Sequence, residues 1–177
     1  MSIWIACPGC PDRRRLPDAR QAEYTASGPD RGKNVIIDGA RAADRSNALI
    51  LRFCTAVSRG DFDGMLECLA DDVVHDVNQG ARETGKAAFR QWVEQYRRTY
   101  REELRDIVVM SVDDGTRAAA EFSVHGVYQD SVPGQPAAKG QRYVLTAGAF
   151  FAIHQGRIAR VTPCYNRHER QVQIERG

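Results

Sequence analysis

The residues best suited to chemistry lie together in the stretch VVHDVNQG (73–80), which carries an imidazole (His75), a carboxylate (Asp76) and an amide (Asn78). A carboxylate held away from water is a stronger base than one in water, and an imidazole exchanges protons near neutral pH. The set therefore suits acid–base proton transfer, provided that a donor steadies the charge that develops. The stretch is short and β-branched, which predicts a strand. Strand alternation then sets Asp76 and Asn78 on one face and His75 on the other, unless a local bulge turns His75 back. The plainer alternative is an Asp76 near a strand end that bonds a loop backbone or an arginine. The phenols Tyr128, Tyr143 and Tyr165 are further donors.

A second candidate, Cys7 and Cys10 in CPGC, is half of a zinc site or a redox pair in form only. Zinc needs a second ligand pair, which none of His75, His125, His154 and His168 supplies, and a redox pair belongs at the end of a βαβ strand rather than in a polar tail. These are read as incidental cysteines, and no metal or cofactor is expected.

The elements that must position the candidates follow from apolar spacing. Residues 1–43 are rich in Pro, Gly, Arg and Asp without a sustained period, and are expected to form a disordered extension. Order begins at Asp44 or Ser46, either of which can cap a helix with Leu49, Ile50, Phe53, Cys54 and Val57 on one face. Gly60 ends it. Asp61 caps a second, short helix bearing Phe62, Met65, Leu66 and Leu69, so that the two form a hairpin. After the strand at 73–80, a loop to Thr84-Gly85 leads into the longest helix, with Phe89, Trp92, Val93, Tyr96 and Tyr100 along one aromatic stripe and charged residues on the other side. Four strands are predicted over 104–112, 117–128, 143–153 and 157–165, joined by tight turns and by a Pro/Gly-containing loop, 129–140, long enough to act as a flap. Helices gathered on one face of such a sheet make an α+β domain over 44–170, followed by a tail, 171–177.

The bulk numbers agree with a single domain. The first 45 residues carry eight Lys/Arg against six Asp/Glu, and the remainder 17 of each, so the domain has no basic stripe for nucleic acid or a membrane surface. No apolar run approaches the roughly 18 to 20 residues of a membrane span, and MSIWIA is too short for a secretory core. Three of the five cysteines sit in apolar segments as free thiols would. Together these point to a cytoplasmic protein.

The element order, with the phrases GDFDGMLECLADDVVHDV, REELRDIVVM, GQRYVLTAGAFF and GRIARVTPCYN, resembles the nuclear-transport-factor-2-like superfamily and, within it, the ketosteroid isomerase-related group of the SnoaL-like polyketide cyclases. The similarity runs over residues 46–166. It implies a cone: a curved, mostly antiparallel sheet wrapped around three helices, with the ligand site inside. It places Phe122, Val124, Gly126 and Tyr128, then Tyr143, Leu145, Ala147 and Ala149, then Val161, Pro163 and Tyr165 inward, where they join Phe53, Leu69, Trp92 and Tyr96 around an apolar cavity.

The resemblance also gives Asp76 the position of the carboxylate base in ketosteroid isomerases, a reaction that serves as a general illustration of a carboxylate in an apolar site. The two oxyanion donors of those enzymes match Phe53 and Ala149 or a neighbour in AGAFF here, and none of these side chains can donate. Losing one such donor typically costs on the order of 100- to 1000-fold in rate, so authentic steroid isomerisation is not expected. What the resemblance implies is a cofactor-independent isomerase or cyclase acting on a hydrophobic carbonyl compound through Asp76, with Asn78 and a tyrosine polarising the oxygen. An Asp-His pair would fit the cyclase branch. The alternative is a non-catalytic ligand-binding or dimerisation module. The opposite strand face, with Glu121, Ser123, His125, Arg160, Thr162 and Cys164, packs against a second subunit in many relatives, so a homodimer is expected.

Overall fold

Helix α1 (Ala42–Arg59) places Leu49, Ile50, Phe53, Cys54 and Ala56 on one buried face, the face that the apolar spacing predicts. The computed structural model describes residues 41–78 and 80–177; the extension at 1–43 and the CPGC motif fall wholly or almost wholly outside them. Arg41 is the N-cap, and Asp44 sits one turn inside with its carboxylate accepting from the Arg41 backbone N–H at 3.3 Å. Ser46 caps nothing. Its buried hydroxyl donates to the Gly115 carbonyl at 2.7 Å and ties α1 to a distant turn. The helix stops at Gly60, whose left-handed φ of 69° glycine adopts without strain. Asp61 then caps α2 (Phe62–Glu67) by accepting from the Gly64 N–H at 2.9 Å.

Next come β1 (Leu69–Asp76), β2 (Arg82–Thr84), α3 (Lys86–Thr99), β3 (Tyr100–Ser111), β4 (Arg117–Tyr128), β5 (Arg142–His154), β6 (Arg157–Tyr165) and α4 (Arg167–Arg176). One curved, unclosed sheet runs in the order β2-β1-β6-β5-β4-β3, antiparallel except for the β1–β6 pair. The α+β architecture is the one expected.

Four local features differ from the expectation. The first strand spans 69–76 instead of 73–80, so Leu69 opens β1 and does not belong to α2. The segment read as a loop before α3 contains β2, which pairs with β1 in the register Val74–Thr84, His75–Glu83 and Asp76–Arg82. Tyr100 ends α3 and opens β3 instead of extending the helix. Residues 167–176 form α4 instead of petering out into a tail. Ile174 is 1% exposed and packs among Tyr100, Tyr128, Tyr143 and Leu145. The Gln173 amide pairs with both backbone groups of Val144, accepting at 2.8 Å and donating at 2.9 Å, as a neighbouring strand would. A helix with a weakly amphipathic sequence is thus held by one apolar anchor and one amide clamp.

Two apolar clusters result. The larger joins α1, α2 and α3 to the concave face of the sheet through residues such as Ile50, Phe53, Phe89, Phe151 and Ile158. The smaller lies under α4.

Candidate functional site

Between α3 and the concave sheet lies a cavity of about 160 Å³. Its apolar end is walled by residues including Phe53, Met65, Phe89, Val93 and Phe151, and its polar end by Asn78, Tyr96, Tyr100, Glu102 and Tyr165. Trp92 stands between the ends and stacks on Tyr96 with centroids 4.8 Å apart, the i, i+4 spacing that puts both on one helix face.

His75 is the titratable group in the apolar half. It is 2% exposed, and its ring packs edge-on against Phe89 at 5.2 Å and Trp92 at 4.5 Å. Residues paired across a ladder share a face, and His75 pairs with Val161 of β6, another cavity wall. Its partner on the other side is Glu83, with Nδ1 to Oε2 at 3.6 Å. Both atoms are sealed from solvent and have no hydrogen-bond partner among the described residues. Nε2 also has no partner but is not sealed, so it opens onto the cavity. Burial lowers the imidazole pKa from its ordinary value, and the Glu83 carboxylate opposes part of that shift. The ring is therefore neutral at neutral pH, and a proton on Nδ1, facing Glu83, leaves the Nε2 lone pair toward the cavity.

Asp76 lies on the other face. Thr162 donates to its Oδ2 at 2.8 Å, and Arg82 pairs with Oδ1 at 2.6 Å. Thr162 belongs to the row Met110–Ala119–Phe150–Thr162, whose Met110 and Phe150 side chains are exposed on the convex side. Asp76 does not border the cavity. The Arg82 guanidinium, and then the Thr162 hydroxyl, hold its carboxyl below the usual range, which makes it a weaker base than an ordinary aspartate. The alternation of β1 explains the placement: Leu69, Val73 and His75 are its buried positions, which turns the even-numbered residues outward. Asn78 nevertheless reaches the cavity, because the chain leaves the strand after Asp76 and turns. Its Nδ2 donates to the Tyr165 carbonyl at 3.0 Å.

Of the expected lining residues, Phe53, Trp92, Tyr96, Phe122, Val124 and Tyr165 border the cavity. Leu69, Tyr128 and Tyr143 do not. Leu69 is fully buried in the larger cluster, while Tyr128 and Tyr143 are packed beneath α4, where the tapering end of the cone is filled by Ile174. Phe53 and Ala149 line the cavity without offering a donor.

Sequence reasoning passed over three groups. Glu83 was hidden in a presumed loop. The pairing of His75-Asp76 against Arg82-Glu83 was the available signal, since a hairpin register puts an opposite charge beside each of the two. The others are Glu102 and Arg170. Glu102 Oε1 accepts from Tyr96 at 2.8 Å and Tyr143 at 2.6 Å, and Arg170, 7% exposed, donates to the Tyr96 hydroxyl at 2.8 Å while lying 4.2 Å over the Tyr100 ring. Burial, then the Glu102 charge, pushes the Tyr96 phenol well above its ordinary value, so it stays a donor. Tyr100 is engaged with Gln135, which leaves Tyr165 as the cavity phenol whose hydroxyl bonds no described residue. Cys54 also borders the cavity, but burial pushes its thiol up to about 12, an inert state. Among the described residues no three His, Cys, Asp or Glu side chains gather as metal ligands would, and no helix is long and apolar enough to cross a membrane.

Comparison with known proteins places this geometry. The model of the SnoaL-like domain matches residues 50–161. A crystal structure of a "putative polyketide cyclase" from Xanthomonas campestris pv. campestris is 49% identical, with 75% of this chain and 98% of that one covered at a TM-score of 0.74. A second protein with that description, from Pseudomonas putida KT2440, is 50% identical over 73% of this chain and 97% of that one, at 0.71. An LEH-like epoxide hydrolase from M. tuberculosis, 16% identical over 76% of this chain and 87% of that one, shares the fold at 0.61. No protein of curated function matches. With a family model spanning most of the described chain and two relatives near half identity, the chain belongs to the SnoaL-like family and carries its nuclear-transport-factor-2-like fold.

Proposed function

We propose that the cavity binds a small hydrophobic carbonyl compound and that the protein acts on it as a cofactor-independent isomerase or cyclase, with His75 in place of Asp76 as the proton carrier. The observation that carries this reading is the buried imidazole with Nδ1 toward Glu83 and Nε2 open to the cavity. Nε2 takes a proton from the carbon beside the carbonyl. The imidazolium so formed is steadied by Glu83, the enolate oxygen is met by the free Tyr165 hydroxyl, and the proton returns to another carbon or to the oxygen. Asn78 fixes the Tyr165 backbone. The relatives described as polyketide cyclases support carbonyl chemistry of this class.

The test does not need the natural substrate. Deuterium uptake at the α-carbons of small cyclic ketones and 1,3-diketones in D₂O, followed by NMR, reads the proposed step. The wild type should accelerate uptake, and His75→Gln should lose on the order of 100- to 10,000-fold of that acceleration. Equal uptake by the folded variant excludes His75 as the base. Binding without any uptake in the wild type favours a non-catalytic ligand-binding module.

The same reading takes the protein to be a homodimer through the convex face, supported by Val108 and Met110 on β3 and Phe150 on β5, all about half exposed on either side of β4. Sedimentation of the wild type against Phe150→Glu tests it.

A further inference from the structure

The polar end of the cavity has a feature that the proton-transfer chemistry does not use. Glu102 is a wall residue, and its Oε1 is saturated by two phenols. Its Oε2 receives no bond from any described residue, and the side chain borders both this cavity and a second depression beside Arg101, His125 and Arg142. Arg170 reaches Glu102 only through the Tyr96 hydroxyl, which accepts from the guanidinium and donates to the carboxylate. Glu102 is thus an acceptor positioned by three side chains, with one oxygen left to take a hydrogen bond.

His75 packs on Trp92, and Glu102 bonds Tyr96, one helical turn further along α3. Trp92 and Tyr96 stack with centroids 4.8 Å apart and stand one turn, about 5.4 Å, apart along the helix, a spacing on the scale of a single ring. The volume agrees: a cavity of about 160 Å³ compares with an engineered cavity of roughly 150 Å³ that holds benzene, whereas sites for drug-sized ligands run from about 300 Å³ upward. What prevents a longer ligand is α4, whose Ile174 and Arg170 fill the end of the cone beyond Tyr100.

We infer that the ligand is a single-ring compound bearing an uncharged hydroxyl, enolic or phenolic, which donates to Glu102, while the opposite edge of the ring meets His75. This deepens the proposed function and rests on the cavity being the ligand site. The volume favours one ring over fused polycycles, and the Glu102 acceptor favours a hydroxyl donor over a ring carboxylate.

A phenol is a stable enol, so p-cresol, 4-methylanisole, 4-methylbenzoate and 1-anthrol serve as probes, titrated into the full chain and followed by NMR. p-Cresol should bind at least tenfold more tightly than each of the other three, the order of loss expected for a missing hydrogen bond to a charged group. Glu102→Gln should weaken p-cresol about tenfold and leave 4-methylanisole unchanged. If p-cresol and 4-methylanisole bind the wild type equally, or 1-anthrol binds as well as p-cresol, the inference is overturned while the ligand site stands; this comparison needs no variant and so survives a misfolded Glu102→Gln. If no ring compound binds, the site assignment falls with it. Deuterium uptake by the wild type is measured separately, so loss of the p-cresol preference with uptake intact overturns the hydroxyl contact and not the proton-transfer reading.

Discussion

His75 Nδ1 and Glu83 Oε2 face each other at 3.6 Å across the β1–β2 ladder, each sealed from solvent and each without another hydrogen-bond partner among the described residues. The gap is longer than a hydrogen bond, so a small approach of the two strands on ligand binding would close it. A buried polar pair left open in this way is costly unless it is used.

Glu83→Gln removes the charge that favours the imidazolium. The His75 pKa, already lowered by burial, should fall further, so the acid limb of the deuterium-uptake profile should move to lower pH. The plateau rate should drop at least tenfold, as expected when the carboxylate that orients a histidine is lost. A pH profile that does not move removes Glu83 from the mechanism.

Stability should follow the same group. The folded pKa of His75 lies below the unfolded value of about 6.5, so between the two the unfolded chain binds more protons than the native one. The stability from keeping the ring neutral is fully present above about pH 6.5 and is lost as the pH falls toward the folded pKa. Urea unfolding at pH 7.5 and 5.5 should show a loss in the wild type that is smaller in His75→Gln.

Asp76→Asn should behave oppositely to His75→Gln. The pair with Arg82 is on the surface, and the cavity does not touch it, so deuterium uptake and p-cresol affinity should stay within about twofold. Because the Asp76 pKa is depressed, its contribution to stability is present above the unfolded carboxylate value and disappears on acidification. A thousandfold loss of uptake in this variant would restore the aspartate as the base.

Ile174→Ala should cost about 2 to 4 kcal/mol or release α4 locally, because the side chain is fully enclosed. Amide exchange over 167–176 distinguishes the two outcomes, and a released α4 should also admit 1-anthrol.

Gly126→Ala places a Cβ inside the Tyr143 ring, which lies flat across the glycine on its way to Glu102. Overpacking of this kind costs about 1 to 3 kcal/mol, and the displaced phenol should weaken p-cresol binding as well. Melting curves and the same NMR titration check it.

The periodicities of 49–57, 62–66 and 89–96 and the four late strands were legible because each buries one face, and the 3.6- and 2-residue repeats record that directly. Alternation along β4 set Phe122 and Val124 on one face, and the family resemblance named that face as the inner one; both border the cavity. Along β1 the same rule could not choose the face, since both VVHDV parities offer an apolar residue to the core; only the pairing with β6 and β2 resolves it. The helix α4 was missed because its sequence is polar nearly throughout, and its anchorage is a single isoleucine and a glutamine that bonds another element.

By itself, then, the sequence determined most element types and the core, because these depend on short-range repeats, and its resemblance to known phrases implied the SnoaL-like fold that the comparisons bear out. Tertiary structure alone decided that His75 enters the cavity while Asp76 leaves it, that Glu83 stands behind the imidazole, and that Arg170 reaches Glu102 through Tyr96. Those relations join residues up to 74 positions apart, and no local period encodes a contact made only when distant strands and helices close on one another.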